Sequence, residues 1–207
     1  MVWGLLLILS LGLGLMAGGG EAKAAFSKKK ATKNIKASYK VMDNGILATY
    51  KNKNTYAVSL TATVKFVDAA GQTIGEETFL DKCFPKKKSV VYFFRTPMND
   101  NGSPKRYGSY SLKFSVKKAE GKDSTGKIKI NYSISPTVTN CTAMNLGKID
   151  LSSINATFVF YNSKGDIMCI RNSYLNCRRA NTANDFTLTY VGLGTPKKMK
   201  IYVNWAY

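Results

Sequence analysis

Histidine is missing from all 207 residues of this chain, and acidic residues are scarce, twelve against 31 lysines and arginines. Without an imidazole, Ser-His-Asp and Cys-His arrangements and histidine-metal sites are excluded together, because each depends on a ring that titrates near neutrality or offers a free nitrogen. Paired carboxylates or a cysteine nucleophile remain, and Glu76-Glu77 is the sole adjacent acidic pair. On a strand, neighbouring side chains point to opposite faces, so these two cannot flank one bond and read as solubilising edge charges. No GxSxG, P-loop or GxGxxG string occurs, and Gly192-Leu193-Gly194 before Thr195-Pro196 reads as an ordinary turn. The expectation is a protein that is not an enzyme and takes no cofactor.

Three further things are lacking. No segment after the first 25 residues keeps a 3.6-residue apolar period, so helices are expected to be absent or single turns. No CxxC occurs among Cys83, Cys141, Cys169 and Cys177, which with the missing histidines argues against zinc. Beyond Val2–Ala17 there is no second apolar run long enough to span a bilayer, which needs about 20 residues.

What is present is a repeat. Ala62-Thr-Val-Lys-Phe-Val-Asp-Ala-Ala-Gly71 returns 94 residues later as Ala156-Thr-Phe-Val-Phe-Tyr-Asn-Ser-Lys-Gly165. Ile35, Ala37, Tyr39 and Val41 find counterparts in Ile128, Ile130, Tyr132 and Ile134, and Phe79-Leu80-Asp81 in Tyr174-Leu175-Asn176. A period of this length is domain-sized, far above the 20–50 residues of solenoid units. Two tandem domains of about 80 residues follow.

The period within each copy is two. Val58, Leu60, Ala62, Val64 and Phe66 alternate with Ser59, Thr61, Thr63 and Lys65, which predicts a half-buried antiparallel strand, and Ile154–Phe160 repeats the pattern. Asp68-Ala-Ala-Gly71 and Asn162-Ser-Lys-Gly165 read as hairpin turns. Further strands are predicted at 46–50, 73–79, 89–94 and 109–116, then at 139–144, 167–174, 186–191 and 199–205. Six or seven short strands per copy predict an all-β pair of two-sheet antiparallel sandwiches. The expected boundaries are a signal peptide at 1–24, a basic flexible arm at 25–33, a first domain at 34–117, a linker at 118–126 and a second domain at 127–207. So short a linker predicts a beads-on-a-string pair with hinge freedom.

The leader combines the apolar Val2–Ala17, a glycine break and Ala22-Lys23-Ala24, which places cleavage after Ala24. An uncleaved anchor is the alternative. A lipobox cysteine is missing, since the first cysteine is Cys83. In an exported chain the four cysteines are candidates for two disulfides, with three connectivities left open. Asn-x-Ser/Thr strings at Asn101, Asn131, Asn140 and Asn155 carry meaning only in a eukaryotic secretory pathway and read as products of composition.

The formal net charge of +19 attracts polyanions. Export disfavours nucleic acid and leaves cell-wall polymers, acidic glycans and membrane surfaces as partners. The candidate anionic-ligand contacts are Lys86, Lys87, Lys88, Lys105, Arg106, Arg178, Arg179, Lys197 and Lys198, all at predicted turns or strand ends. Sandwich loops gather at two ends, so several clusters can share one face; the alternative is scatter for solubility and edge protection. Alternation turns Tyr110 and Trp205 inward and leaves Tyr202 and Tyr207 as surface candidates for stacking.

The strand beginning near Asn52, the Phe66-Val67-Asp68 ending, the Gly71 turn, the Ile74 strand and the Pro85 turn into Val90-Val91-Tyr92-Phe93-Phe94 resemble the FxLYD-like domains of bacterial exported proteins. That resemblance covers most of 45–95 and, more loosely, 139–191. It implies small immunoglobulin-like sandwiches, found in tandem as interaction or spacer modules, with no catalytic residues to carry over. The functional expectation is a secreted or cell-surface binding or adhesion module whose basic loops contact an anionic polymer, or else a structural spacer or accessory module contacting a partner protein. Oligomeric state is left open.

Overall fold

Alternating β-branched and aromatic residues pair into twelve strands among the residues that the structure, a computed structural model, describes: 26–190 and 193–207. The expected signal peptide and Ala25 lie outside them, as does Val191 of the predicted strand 186–191. The first domain contains β1 (Ile35–Met42), β2 (Gly45–Asn52), β3 (Val58–Val67), β4 (Thr73–Phe84), β5 (Ser89–Arg95) and β6 (Ser109–Lys118). The second contains β7 (Ile128–Ile134), β8 (Val138–Asn145), β9 (Ile154–Tyr161), β10 (Ile167–Tyr174), β11 (Thr182–Thr189) and β12 (Lys198–Ala206).

Each domain holds two three-stranded antiparallel sheets, and the orders match strand for strand: β1-β2-β5 with β7-β8-β11, and β4-β3-β6 with β10-β9-β12. The duplicated turns match atom for atom. Asp68 Oδ1 accepts the Ala70 and Gln72 amides, and Asn162 Oδ1 accepts those of Lys164 and Asp166, each at 2.9 Å. Gly71 and Gly165 close these turns at φ of 82° and 85°, where a Cβ is disfavoured.

One duplicated device has no signature in periodicity. Asn52 and Asn145, each the last residue of its strand, fold their side chains back as brackets. Asn52 Oδ1 accepts the amide of Asn54, while Nδ2 donates to the carbonyls of Tyr56 and Phe84. Asn145 Oδ1 accepts the amide of Gly147, and Nδ2 donates to Ile149, Arg178 and Arg179. Both asparagines are buried, so these bonds satisfy groups that water cannot reach.

Three expectations need correction. Residues 28–33 of the arm form a helix, α1 (Lys28–Lys33), rather than a flexible tail. Ser27 caps it, Ala31 is fully buried in the first core, and the Phe26 ring meets Tyr56 edge-on. The lysines face water on one side while a single alanine anchors the other, too short a pattern for periodicity to reveal.

The domains are not beads on a string. The 118–126 segment is tied down, with Glu120 N–H bonded to the Lys82 carbonyl and Ser124 N–H to that of Ala206. A separate apolar cluster of Phe93, Val159 and Ile170, flanked by Met42, Leu47, Tyr161, Ile167 and Tyr202, joins β5 and its sheet to the outer face of β9, β10 and β12. Consequently β9 is buried on both faces, not one. At the seam, Asn204 Nδ2 donates to Asn155 and Thr157, and Thr157 donates to Asn172. The network ends on backbone groups of β5, the edge strand of its sheet, which is thereby covered.

Parity is the third correction. A register shift between Val203 and Trp205 hands the inner position to Ala206 and turns Trp205 onto the first domain, its ring 5.4 Å from Phe79. An extra residue of this kind reverses every later side chain, which alternation alone cannot foresee. Tyr202 and Tyr207, expected at the surface, pack into the seam and against the first core, whereas Tyr110, expected inside, is exposed. Glu76 pairs with Lys65 at 3.0 Å as an exposed charge. Glu77 is instead half-buried, accepting Tyr92 Oη and the Arg95 amide, and burial pushes its carboxyl up.

Candidate functional site

Topology sorts the cationic loops between the two ends of the molecule. The turn Pro85–Lys88 lies beside the Asn52 bracket, with Lys87 N–H bonded to the Asn52 carbonyl. Lys87 holds φ of 61° there. The loop carrying Arg178 and Arg179 lies beside the Asn145 bracket of the other domain. These two brackets share one end of the molecule, because Lys88 Nζ contacts Thr125 Oγ1 at the start of domain two and lies 3.9 Å from Asp123. Helix α1 enters at the same end, and its Lys28, Lys29, Lys30 and Lys33 are exposed.

Lys105 and Arg106 sit in the loop after β5, and Lys197 and Lys198 at the start of β12, all four at the opposite end. The nine sequence candidates are therefore not brought together. Lys86, Lys87, Lys88, Arg178 and Arg179 share an end; the other four do not. At the shared end the exposed carboxylates Glu120, Asp123 and Asp150 stand among Lys86, Lys87, Arg178, Arg179 and the four lysines of α1, whereas at the far end Asp68, Asp100 and Asp166 stand among only Lys105, Arg106, Lys197 and Lys198 of the candidates.

Lys88 differs from its neighbours. Its side chain is 25% exposed, and burial lowers its affinity for a proton while Asp123 and Asp81 oppose that shift. It serves as a rivet between turn and linker rather than a free contact. Beneath it, Asp81 is 1% exposed, accepts the Cys83 amide through Oδ1 and leaves Oδ2 without a partner. Burial pushes this carboxyl up to about 7.

The expected disulfides are not formed, since Cys83, Cys141, Cys169 and Cys177 are all free and buried. Cys83 belongs to the first domain, its thiol directed to the Gly121 carbonyl. Cys141 and Cys169 lie on β8 and β10, in facing sheets. Burial raises all four thiols, which suits inert core residues. Among the described residues no group of three metal-ligating side chains converges.

Sequence reasoning missed the loop residues that the brackets hold out. Leu146 and Ile149 are 55% and 58% exposed beside Arg178 and Arg179, and Tyr56 is 40% exposed at the corresponding position of domain one. The available signal was Asn52 and Asn145 closing equivalent strands at a spacing near the repeat. On a different surface, the outer face of β7-β8-β11 forms a shallow trough of about 550 Å³ lined by Asn131, Ser133, Asn140, Thr142 and Thr187, with Asp185 as its only acid. Asn131 and Asn140 are thus exposed, whereas Asn155 is buried and bonded to Asn204.

No family model matches the chain. No curated protein matches it. Among solved structures it is similar to red sea bream transglutaminase, at 10% identity and a TM-score of 0.26 over 85% of this chain. This chain spans 30% of the length of that one.

Proposed function

We propose that the protein is a non-catalytic binding module that engages an anionic surface through its bracketed, basic end. The observation that carries this reading is the convergence of Lys86 and Lys87, Arg178 and Arg179, and the lysines of α1 on one end of a rigid two-domain body. A cationic face with few interspersed carboxylates raises the local potential well above that of the same charges scattered. The rigid seam adds to this, because ordering costs on binding are smaller when both domains already hold their relation.

The same reading takes the chain as secreted or displayed at the cell surface, supported by the Val2–Ala17 run and Ala22-Lys23-Ala24 in the sequence. It takes the sandwiches as immunoglobulin-like and FxLYD-like, supported by the Asn52–Phe94 pattern and by six strands in each copy. The second reading is a structural spacer or accessory module, and the riveted linker favours it. Binding to a soluble polyanion such as heparin, measured at low and physiological salt, separates the two. The proposal expects retention that falls steeply with salt; no retention at low salt leaves the spacer.

A further inference from the structure

Resting on the reading of the basic end as the binding face, we infer that its ligand is an anionic lipid bilayer, with Leu146 and Ile149 entering the headgroup–acyl boundary while Lys127, Lys148, Arg178 and Arg179 contact lipid phosphates. A soluble polyanion calls for cations alone. This end also presents large aliphatic side chains to water, and a bilayer is the surface that supplies negative charge and an apolar layer together.

The exposure of those side chains is built in. Asn145 Oδ1 accepts the Gly147 amide at 2.9 Å, and Nδ2 donates to Ile149, Arg178 and Arg179 carbonyls at 3.1, 3.1 and 3.2 Å. Leu146 N–H is bonded to the Lys127 carbonyl at 2.9 Å. A Cβ at Gly147 would meet Asn145 Oδ1 at 2.9 Å, so a larger residue there displaces the bracket side chain. The loop is thereby fixed with two apolar tips outward and cations on both flanks.

Duplication gives a second, independent observation. The Asn52 bracket presents Tyr56 four residues on, as the Asn145 bracket presents Ile149, and both loops lie at the basic end. Tyrosine belongs at a membrane–water boundary, where ring and hydroxyl meet different media. Lys53 stands beside it, exposed. Each domain thus contributes an apolar tip with a neighbouring cation.

The test uses residues 25–207, which carry both cores whole, with vesicles of equimolar phosphatidylglycerol and phosphatidylcholine, vesicles of phosphatidylcholine alone, and heparin. Expected is co-sedimentation with the anionic vesicles only, partly surviving salt that elutes the protein from heparin. The pair Leu146→Ser with Ile149→Ser should lose about tenfold or more in vesicle affinity, given the apolar area withdrawn, while heparin elution stays unchanged. A separate Ile149→Trp variant should shift its emission to the blue on adding anionic vesicles and not on adding heparin. Vesicle affinity unmoved by the serine pair, or no shift at Trp, overturns the lipid assignment and leaves polyanion binding standing. Failure to bind heparin and vesicles alike overturns both.

Discussion

Asn172 holds the Phe93 peptide from both sides: its Nδ2 donates to the Phe93 carbonyl at 2.7 Å, and its Oδ1 accepts the Phe93 amide at 3.4 Å. The residues belong to different domains, 79 positions apart. With Asn204 accepting the Val91 amide at 3.1 Å, the second domain takes the place of a missing fourth strand beside β5. That substitution explains how a segment as short as 118–126 joins domains that behave as one body.

Asn172→Ala should therefore cost about 2 kcal/mol, since it leaves the N–H and the C=O of buried Phe93 unpaired. The parent chain is expected to melt in one transition. The variant is expected to show two, read by calorimetry, as the domains uncouple.

The bracket asparagines carry a second expectation. Asn145→Ala removes four hydrogen bonds that fix the 146–150 and 178–179 loops. A loss of about 2–3 kcal/mol is expected, because the acceptors and the Gly147 amide are left inside the fold. Hydrogen exchange should quicken at Gly147 and Leu151, whose amides depend on that arrangement, and not across the seam.

Stability should fall as pH rises from about 4 to about 7, with Asp81 as the cause. Its folded carboxyl, faced by Lys88, Asp123, Cys83 and Tyr207, sits at about 7. The unfolded group ionises near 4. Between those values the unfolded chain releases a proton that the folded chain keeps, so each pH unit costs at most about 1.4 kcal/mol, and above about 7 the loss is complete. Asp81→Asn keeps an acceptor for the Cys83 amide and should flatten this slope. Chemical denaturation at pH 5 and pH 8 reads the difference.

Charge and strain coincide at Lys87, and one substitution separates them. A lysine at φ of 61° pays about 1 kcal/mol relative to glycine. Lys87→Gly should leave the melting temperature equal or higher while lowering the salt concentration at which heparin releases the protein. A fall in both would place Lys87 in the fold rather than at the surface.

Local chemistry was legible in the sequence, and relations between distant residues were not. Asp68 and Asn162 announce their turns because an Asx side chain and a following glycine are sufficient within five residues. Trp205 is buried as alternation predicts, but against the first domain's core, because a single bulge reverses parity without changing composition. Asn172 and Asn204 look like solvent-facing members of alternating strands; that the first domain covers them is a property of docking, which periodicity does not encode. The basic clusters could be named from composition, but which of them share an end required the Lys88–Thr125 contact. Leu146 and Ile149 lay in a loop, where an apolar residue carries no period to read.

The central claim is that one end of this molecule, and not its net charge, makes the binding surface. Two variants, each removing four cations, test it on a heparin column: Lys86, Lys87, Arg178 and Arg179 to glutamine, and Lys105, Arg106, Lys197 and Lys198 to glutamine. The account predicts release at much lower salt for the first and near-parental release for the second. Equal shifts in the two would contradict it.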